Sequence, residues 1–388
     1  MTIYLDWNAT TSLDQLVQTE IVRCFQEEPG NAGSPHEFGR RARHLVHLAR
    51  DRIARVVGAR RHEVIFTSGA TESNNLAILG LEDIGKASGR RHIVSTRIEH
   101  KAILEPLAVL EKRGFEITLV GSGREGRVEA ESVLAALRPD TLLLSVMHVN
   151  NETGIIQPIG EIADGIGKRS VFFHVDAAQG FGKDLAPLQH PRIDLISVSS
   201  HKIHGPVGVG ALIARRTRGE LPPLAPLIHG GGQEMGLRPG TLPVALLSGF
   251  GLAAELAMKE NEPRLSVCRR IRNQILDALV PLSPVIHGNL SLAVPNVLNL
   301  SFPGLDADDI IERLEGIAAV STGSACTSVC ATASHVLQAM EVPPGELDGA
   351  VRISWSHLTD EQELSTALSR IREALHTAIP PGAARQPV

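Results

Sequence analysis

The sequence has few cysteines and no long apolar run, and each absence excludes a class of protein. Its cysteines, Cys24, Cys268, Cys326 and Cys330, are too few and too scattered for a disulfide framework, so one pair is the most that we expect. No segment approaches the roughly 18 uninterrupted apolar residues of a membrane helix. The N-terminal stretch MTIYLDWNATTSLD also lacks the pattern of a signal peptide. We therefore expect a cytoplasmic protein that does not bind a membrane.

Charge of one sign is not concentrated anywhere in the chain. Acidic and basic residues are mixed along its length, with a formal net charge of −5. Because no basic stripe is present, direct binding to nucleic acid is not expected. The chain has 388 residues, of which 43% are apolar, which is enough to bury a large core in two or three domains.

Short apolar runs alternate with helical periodicity between residues 60 and 215. The runs that predict strands are EVIF (63–66), HIVST (92–96), EITLV (116–120), TLLLSVM (141–147), VFFHV (171–175), DLISVS (194–199) and VGALIA (209–214). The stretches between them carry apolar residues three and four positions apart and end at Gly or Pro, as crossover helices do. This pattern predicts an α/β fold with a mostly parallel sheet covered by helices.

The flanking regions predict the domain organisation. A long amphipathic helix is expected over residues 36–57, ending at Gly58. Residues 215–245 are rich in Pro and Gly, and a helical segment near 243–260 leads into a less regular region that ends near 378. We place a domain boundary close to residue 260 and expect a flexible tail over 379–388.

Two glycine-rich turns have the composition of phosphate-binding loops. TSGATESNN (67–75) opens a helix, whose free N–H groups and dipole suit a phosphate. Taken alone, an ordinary helix cap at Thr71 is the simpler interpretation. GSGREG (121–126) fits the dinucleotide pattern G-x-G-x-x-G, but its third glycine does not start a helix. We interpret that segment as a solvated turn.

Two further clusters follow predicted strands, where ligands of open α/β sheets bind. In FHVDAAQG (173–180), Asp176 is suited to hold a protonated ring nitrogen, and Gln179 to reach a substituent of the same ring. The alternative is a cap of the strand end. In SVSSHKIHGPVGVGAL (197–212), Lys202 is suited to a Schiff base beside a phosphate, with an exposed loop lysine as the alternative. His201 and His204 suggest a metal pair, but no ligand cluster completes it.

The clusters together are more specific than any one of them. A phosphate-type turn, an aspartate at one strand end and a lysine at another predict a pyridoxal phosphate enzyme with no metal site. His100 in RIEHKAI and Asn151 in MHVNNETG follow two other strands. For each, a role at the ring and a buried structural role are equally compatible with the sequence.

Over nearly its whole length the chain resembles the cysteine desulfurases of the aminotransferase class V group. The matching segments are YLDWNATT, GNAGSPHEFG, VIFTSGATESNNLAI, EHKAIL, SVMHVNNETGIIQPI, HVDAAQ, SSHKIHGPVGVGAL, HGGGQEMGLRPGTLP, PNVLNLSF, STGSACTS and VRISW. The resemblance implies pyridoxal phosphate transferase fold type I. A large cofactor-binding domain (15–259) would contain a seven-stranded, mostly parallel sheet. Residues 1–14 and 260–378 would form a smaller α+β domain that carries the catalytic cysteine loop.

The resemblance also implies roles for individual residues. Lys202 would form the Schiff base with pyridoxal 5'-phosphate, Asp176 would hold the pyridinium nitrogen, and Gln179 would meet the ring oxygen. His100 would stack on the ring and take part in catalysis, and Asn151 would lie near the ring and the substrate amine. The phosphate would be bound by Ala70, Thr71, Ser199, Ser200, His201 and, from the second subunit of a homodimer, Thr241.

For the reaction, the resemblance implies that Arg352 clamps the α-carboxylate of L-cysteine with its planar guanidinium. A surface ion pair is the alternative for that arginine. Lys202 would remove the α-proton, and the thiolate of Cys326 would attack the substrate sulfur, leaving a persulfide and L-alanine. The sulfur would then pass to an acceptor protein.

Several features depart from the family pattern or leave the pathway open. Trp7, Pro239 and Cys330 are departures, and we interpret Cys330 as a plain small residue, with a resolving thiol or a second sulfur carrier as alternatives. The SACTS loop resembles the longer-loop branch of the family. The end AIPPGAARQPV resembles no scaffold-docking segment, which favours a specialised sulfur donor for DNA phosphorothioation or tRNA thiolation over iron–sulfur assembly.

Other functions are compatible with the same residues. One alternative is a selenocysteine lyase or a transaminase with this cofactor, although a transaminase has no need of Cys326. A non-enzymatic sulfur-relay scaffold is the alternative from another class, and the presence of both Lys202 and Asp176 argues against it.

Overall fold

A computed structural model describes residues 2–217, 219–322 and 333–378. Cys326, Cys330 and the predicted tail over 379–388 lie outside these residues. The strands are β1 (Ile3–Tyr4), β2 (Val64–Thr67), β3 (His92–Thr96), β4 (Glu116–Val120), β5 (Thr141–Met147), β6 (Phe172–Asp176), β7 (Leu195–Ser199), β8 (Gly210–Ala214), β9 (Val285–Ile286), β10 (Val297–Ser301), β11 (Ala318–Ala319), β12 (Ser321–Thr322) and β13 (Ala350–Ser354).

The helices cover the sheets and include the long amphipathic helix that the sequence predicts. They are α1 (Gln15–Glu27), α2 (Glu37–Val56), α3 (Ala70–Leu79), α4 (Glu82–Ser88), α5 (Lys101–Lys112), α6 (Ala130–Ala135), α7 (Ile159–Ile166), α8 (Val244–Lys259), α9 (Asn261–Leu279), α10 (Ala307–Arg313), α11 (His335–Ala339), α12 (Pro344–Leu347) and α13 (Glu361–His376). Within the described part of the chain, no helix combines the length and apolar character needed to cross a membrane.

The seven predicted strands form one sheet, with the order β2-β8-β7-β6-β5-β3-β4. The β3, β4, β5, β6 and β7 neighbours pair in parallel, whereas β8 runs antiparallel to both β2 and β7. The prediction of an α/β fold with a seven-stranded, mostly parallel sheet is therefore confirmed. The parallel arrangement brings the carboxyl ends of β3, β5, β6 and β7 to one edge of the sheet.

Both faces of this sheet are buried, and successive residues of a strand pack into different cores. In β2, Val64 and Phe66 pack in the core that contains α2, while Ile65 between them packs with Leu76 of α3. Helices on both faces explain why the strands read as nearly continuous apolar runs rather than as alternating ones.

A second core joins the two ends of the chain. Sheet β12-β13-β10-β9 lies beside the short parallel pair β1-β11. Ile3 and Leu5 share a buried cluster with Leu298 of β10, Ile353 of β13 and Leu368 of α13. The N-terminal residues therefore pack with the last third of the sequence. The exact domain bounds, 15–259 and 1–14 with 260–378, remain a prediction.

Candidate functional site

A cavity of about 520 Å³ lies at the carboxyl edge of the large sheet. It is lined by most of the residues that the sequence singles out. Those on its wall are Ala70, Thr71, His100, Asn151, Asp176, Gln179, Ser199, His201, Lys202 and Arg352. The fold therefore brings together residues that are spread over 282 positions, from 70 to 352.

Among the described residues, two predicted site residues are not found on this wall. Ser200 is fully buried. Its hydroxyl packs so closely against Gly205 that a Cβ on that glycine would lie 2.1 Å from the hydroxyl oxygen. Thr241 is exposed on the same chain, ahead of α8. Cys326 lies outside the described residues. Ser200 and Thr241 thus do not line the cavity of their own chain.

Lys202 occupies a short 3-10 turn, Ser200–Lys202, directly after β7. Its Nζ donates hydrogen bonds to the backbone oxygens of Asn8 at 2.5 Å and Ala9 at 2.8 Å. The N-terminal segment therefore forms one side of the cavity, next to the lysine. Sequence reasoning missed the role of Asn8, although it belongs to the motif YLDWNATT.

The carboxylate of Asp176 ends β6 and is 5% exposed. Its Oδ2 accepts a hydrogen bond of 2.7 Å from the side chain of Asn74 in α3, and its Oδ1 accepts one of 3.0 Å from the backbone of Ala178. Both oxygens are oriented by neighbours that can only donate to them. Asn74 also went unnoticed in the sequence, although it is part of TSGATESNN.

Gln179 connects three elements of the site. Its Nε2 donates to the backbone oxygen of Asn8 at 2.9 Å, the same oxygen that Lys202 contacts. Its Oε1 accepts a hydrogen bond of 3.0 Å from Nζ of Lys183. The amide is therefore held in one orientation from both sides.

His100 caps α5, because its Nδ1 accepts a hydrogen bond of 3.1 Å from the backbone of Ala102. A neutral ring in this arrangement carries its proton on Nε2. The preceding residue, Glu99, is fully buried and accepts hydrogen bonds from Thr96 and the backbone of Met147. Burial, with a smaller contribution from the charge of Asp176, raises the pKa of Glu99 to about 8.

The opposite end of the cavity is suited to an anion. The turn after β2 leads into α3, whose first residues are Ala70 and Thr71, so the helix N-terminus faces this end. Gly210 allows the turn before α3 to lie close to β8, since a Cβ on Gly210 would lie 2.6 Å from Cα of Gly69. His201 also lines this cavity, and burial and the charge of Lys202 lower its pKa to about 4.

Arg352 of β13 reaches the cavity from the second sheet and is 4% exposed. It forms an ion pair of 2.7 Å with Asp6 and donates to the backbone oxygen of Asn151 at 3.0 Å. The alternative of a surface ion pair is therefore wrong, because the arginine is buried at the site. Sequence reasoning did not identify Asp6 as its partner.

Glu152, next to Asn151, connects the cavity to the segment that follows residues 323–332. Its Oε2 accepts a hydrogen bond of 2.5 Å from the hydroxyl of Ser334, which also caps α11. Burial raises the pKa of Glu152 to about 7. The adjacent His335 contacts the backbone oxygen of Glu99 at 2.8 Å. Residues 334 and 335 are thus fixed to the large sheet.

The residues of the cavity fit pyridoxal phosphate. Among the described residues, Oδ1 of Asn151 and Nε of Arg352 are buried without a hydrogen-bond partner, and both residues line the wall. A ligand in the cavity would satisfy such polar atoms. The same wall offers a carboxylate for a ring nitrogen, a lysine for an aldehyde and a helix N-terminus for a phosphate.

Comparisons with known proteins agree with this arrangement. The aminotransferase class-V family matches residues 3–366. A cysteine desulfurase IscS from Enterobacter sp. (strain 638) is 39% identical over 378 residues, which cover 96% of this chain and 92% of the relative. A solved NifS-like protein has a TM-score of 0.90 and 36% identity, covering 97% of this chain and 100% of that one.

A second solved structure, DndA from Streptomyces lividans, has a TM-score of 0.80 and 45% identity. It covers 90% of this chain and 98% of its own. Since these matches span nearly all of the sequence, the chain belongs to the class-V aminotransferase family and, within it, to the cysteine desulfurases, which depend on pyridoxal phosphate.

Proposed function

We propose that this protein converts L-cysteine to L-alanine and carries the released sulfur as a persulfide on Cys326. The observation that carries the proposal is the shared cavity wall of Lys202, Asp176 and Arg352. It places a lysine, a carboxylate and a carboxylate-binding arginine around one ligand-sized space. When bound, pyridoxal phosphate would act as the electron sink that makes the substrate α-proton acidic.

The residues of the chain would divide the remaining tasks. Arg352 would bind the substrate carboxylate, and the amine of Lys202 would take the proton from the α-carbon. Asp176 and Gln179 would hold opposite sides of the cofactor ring, and His100 would lie over its face. Ala70, Thr71, Ser199 and His201 would bind the phosphate.

The sulfur transfer needs no external oxidant. The thiolate of Cys326 would form a bond to the sulfur of the substrate while the substrate Cβ–S bond breaks. The electron pair of that bond stays with the carbon, which gains a proton and becomes the methyl group of alanine. The persulfide on Cys326 therefore holds the sulfur in a form that a thiol acceptor can receive.

Two variants separate cofactor binding from sulfur transfer. Lys202→Ala should lose the visible absorbance of the bound cofactor, whereas Cys326→Ser should keep that absorbance and lose sulfide release from L-cysteine under reductant. The control is Cys24→Ala, because Cys24 is buried in α1, outside the cavity. Full sulfide release by Cys326→Ser would overturn the persulfide step. Faster alanine formation from L-selenocysteine than from L-cysteine would indicate a selenocysteine lyase instead.

We further propose a homodimer in which Thr241 of the partner subunit completes the phosphate site. This is consistent with the exposed position of Thr241, away from the cavity of its own chain. Exposed apolar side chains also suit a protein interface, among them Phe25 of α1, Val207 before β8 and Ile228 between β8 and Thr241.

Mixed dimers test this arrangement directly. Thr241→Glu and Lys202→Ala should each be inactive alone. If Thr241 acts across the dimer, unfolding and refolding the two variants together restores one intact site per mixed dimer. If Thr241 acts within its own chain, no combination restores activity. A wild-type mixture treated in the same way gives the reference activity.

For the pathway, we propose sulfur donation to DNA phosphorothioation. The supporting observation is the 45% identity to DndA, against 39% to the IscS relative. In a host that carries the gene, replacing it by the Cys326→Ser variant should remove phosphorothioate linkages from genomic DNA, measured by mass spectrometry. Unchanged linkages would contradict this pathway, and loss of thiolated tRNA nucleosides in the same strain would indicate tRNA thiolation.

A further inference from the structure

Lys183 is a partly buried lysine that the proposed reaction does not use. It follows β6 in a segment of successive turns, in which Phe181 donates to the backbone oxygen of Ala177 and Lys183 to that of Gly180. Residues 179 and 183, four positions apart, therefore lie on the same side, as they would in a helix. This local structure brings Nζ of Lys183 to within 3.0 Å of Oε1 of Gln179.

The turn that contains Lys183 is also held by α9. The side-chain amide of Asn261, the first residue of α9, donates to the backbone oxygens of Gly182 at 3.0 Å and Lys183 at 3.1 Å. The backbone of Lys183 is thus tied to α9, while its side chain points to the cofactor cavity through Gln179.

No carboxylate among the described residues forms an ion pair with Lys183, and the neighbouring Asp184 contacts His148 instead. A small cavity of about 50 Å³ adjoins the lysine, and none of the described residues on its wall is acidic. Its titratable residues are Lys183, Lys202, His204, Arg264, Cys268 and His357. Burial lowers the pKa of His204 to about 3 and that of His357 to about 4, and it raises the pKa of Cys268 to about 11.

The two histidines and the thiol are uncharged at neutral pH. The nearby arginines are already paired with carboxylates, Arg264 with Asp14 and Glu260, and Arg352 with Asp6. Desolvation and then the charge of Lys202 lower the pKa of Lys183 to about 7. Within the described part of the chain no ion pair explains this lysine, and its side chain contacts the amide of Gln179.

We propose that Lys183 is a positioning residue that fixes the amide of Gln179 so that its N–H group, and not its carbonyl oxygen, faces the ring hydroxyl oxygen of the bound cofactor. The amine of Lys183 donates a hydrogen bond to Oε1 of Gln179, so this oxygen is turned toward the lysine and away from the cofactor. One hydrogen on Nε2 binds the backbone oxygen of Asn8, and the other remains for the cofactor. This inference rests on the proposed position of the cofactor ring.

The affinity of the apoprotein for pyridoxal phosphate tests the inference through a double-mutant cycle. Lys183→Met and Gln179→Leu should each weaken binding about tenfold, the effect of one lost hydrogen bond to a polar ligand atom. The double variant should be no weaker than Gln179→Leu alone, because Lys183 acts through Gln179. The control is Lys168→Met, since Lys168 is exposed and lies outside both cavities.

The visible spectrum of the loaded protein gives a second readout that a purely structural role would not change. Removing the positive charge and the oriented N–H group favours the protonated form of the bound chromophore, so its pH midpoint should rise by about one unit in Lys183→Met. Thermal unfolding of each apoprotein confirms that the variants fold.

The outcomes separate this inference from the proposed function. Wild-type affinity and an unchanged pH midpoint in Lys183→Met would overturn the inference alone, as would fully additive losses in the double variant. Failure of the wild-type apoprotein to take up pyridoxal phosphate would overturn both.

Discussion

The side-chain amide of Asn74 donates a 2.7 Å hydrogen bond to the carboxylate of Asp176, across 102 positions of sequence. Asn74 is 1% exposed and Asp176 is 5% exposed, so the contact is shielded from water. It ties α3, whose N-terminus faces the proposed phosphate end of the cavity, to the end of β6, which carries the carboxylate proposed to bind the ring. Both ends of the cofactor site are therefore positioned by one contact.

Asn74→Ala should weaken pyridoxal phosphate binding by the apoprotein about tenfold, because a hydrogen bond to a charged group is worth roughly 1.5–3 kcal/mol. Fluorescence titration of the apoprotein measures the change. Asn75→Ala is the matched control, since Asn75 bonds only to the backbone of Thr71 in its own helix. Equal dissociation constants for the two variants would contradict this role of Asn74.

Arg352→Lys should raise the KM for L-cysteine roughly ten- to a hundredfold, because lysine cannot replace the bidentate fork of arginine. The visible spectrum of the bound cofactor should stay unchanged, since Arg352 is expected to contact the substrate. Steady-state kinetics with Arg370→Lys, an exposed arginine of α13, provide the comparison. A lower kcat at unchanged KM would argue against carboxylate binding.

The stability of the apoprotein should fall as pH rises from about 5 to 8, in part because of Glu99. Its pKa is about 8 in the folded protein, against 4.5 as the ordinary value, so the folded state holds a proton that the unfolded state has lost. In that window each unit of pH costs up to about 1.4 kcal/mol.

Glu99→Gln should remove this part of the pH dependence, because glutamine mimics the protonated carboxyl group. Urea unfolding at several pH values measures it. The variant should gain stability relative to the wild type as pH rises, whereas Glu105→Gln, on the exposed side of α5, should follow the wild type. Parallel curves for Glu99→Gln and the wild type would show that Glu99 is already ionised.

Ser334→Ala should lower the free energy of unfolding by about 2 kcal/mol. It removes the cap of α11, which costs about 1 kcal/mol, and leaves the buried Glu152 without its hydroxyl partner, at a similar cost. Chemical denaturation measures the loss. Ser369→Ala is the control, because the hydroxyl of Ser369 contacts only its own helix at the surface. A loss equal to that of the control would mean that the contact with Glu152 contributes nothing.

The sequence predicted the strands and the residues that follow them, because apolar periodicity and small-residue turns are local properties. The contacts between those residues were not predictable in the same way. Asn74, Asn8 and Asp6 lie within recognised motifs, yet their partners are distant in sequence. They are ordinary polar residues, and only the fold shows that Asn74 contacts Asp176, that the backbone of Asn8 contacts Lys202, and that Asp6 contacts Arg352.

Two buried residues show how little the local sequence says about burial. Ser200 was grouped with its neighbours as a phosphate ligand, but the tight turn after β7 directs it into the protein beside Gly205, away from the cavity wall. Glu99 carried no signal beyond its neighbour His100, since complete burial of a carboxyl group depends on packing between β3 and β5 and not on local sequence.

The contact between Asp6 and Arg352 joins residues 346 positions apart, and Asn8 contacts Ser354 over the same separation. On the ribosome, the large sheet needs only residues up to Ala214, whereas Arg352, the arginine proposed to bind the substrate, emerges much later. A nascent chain could therefore build the cofactor-binding edge before it has any means of holding L-cysteine. Competence for the reaction would arrive with the last strand, when the two ends of the polypeptide meet.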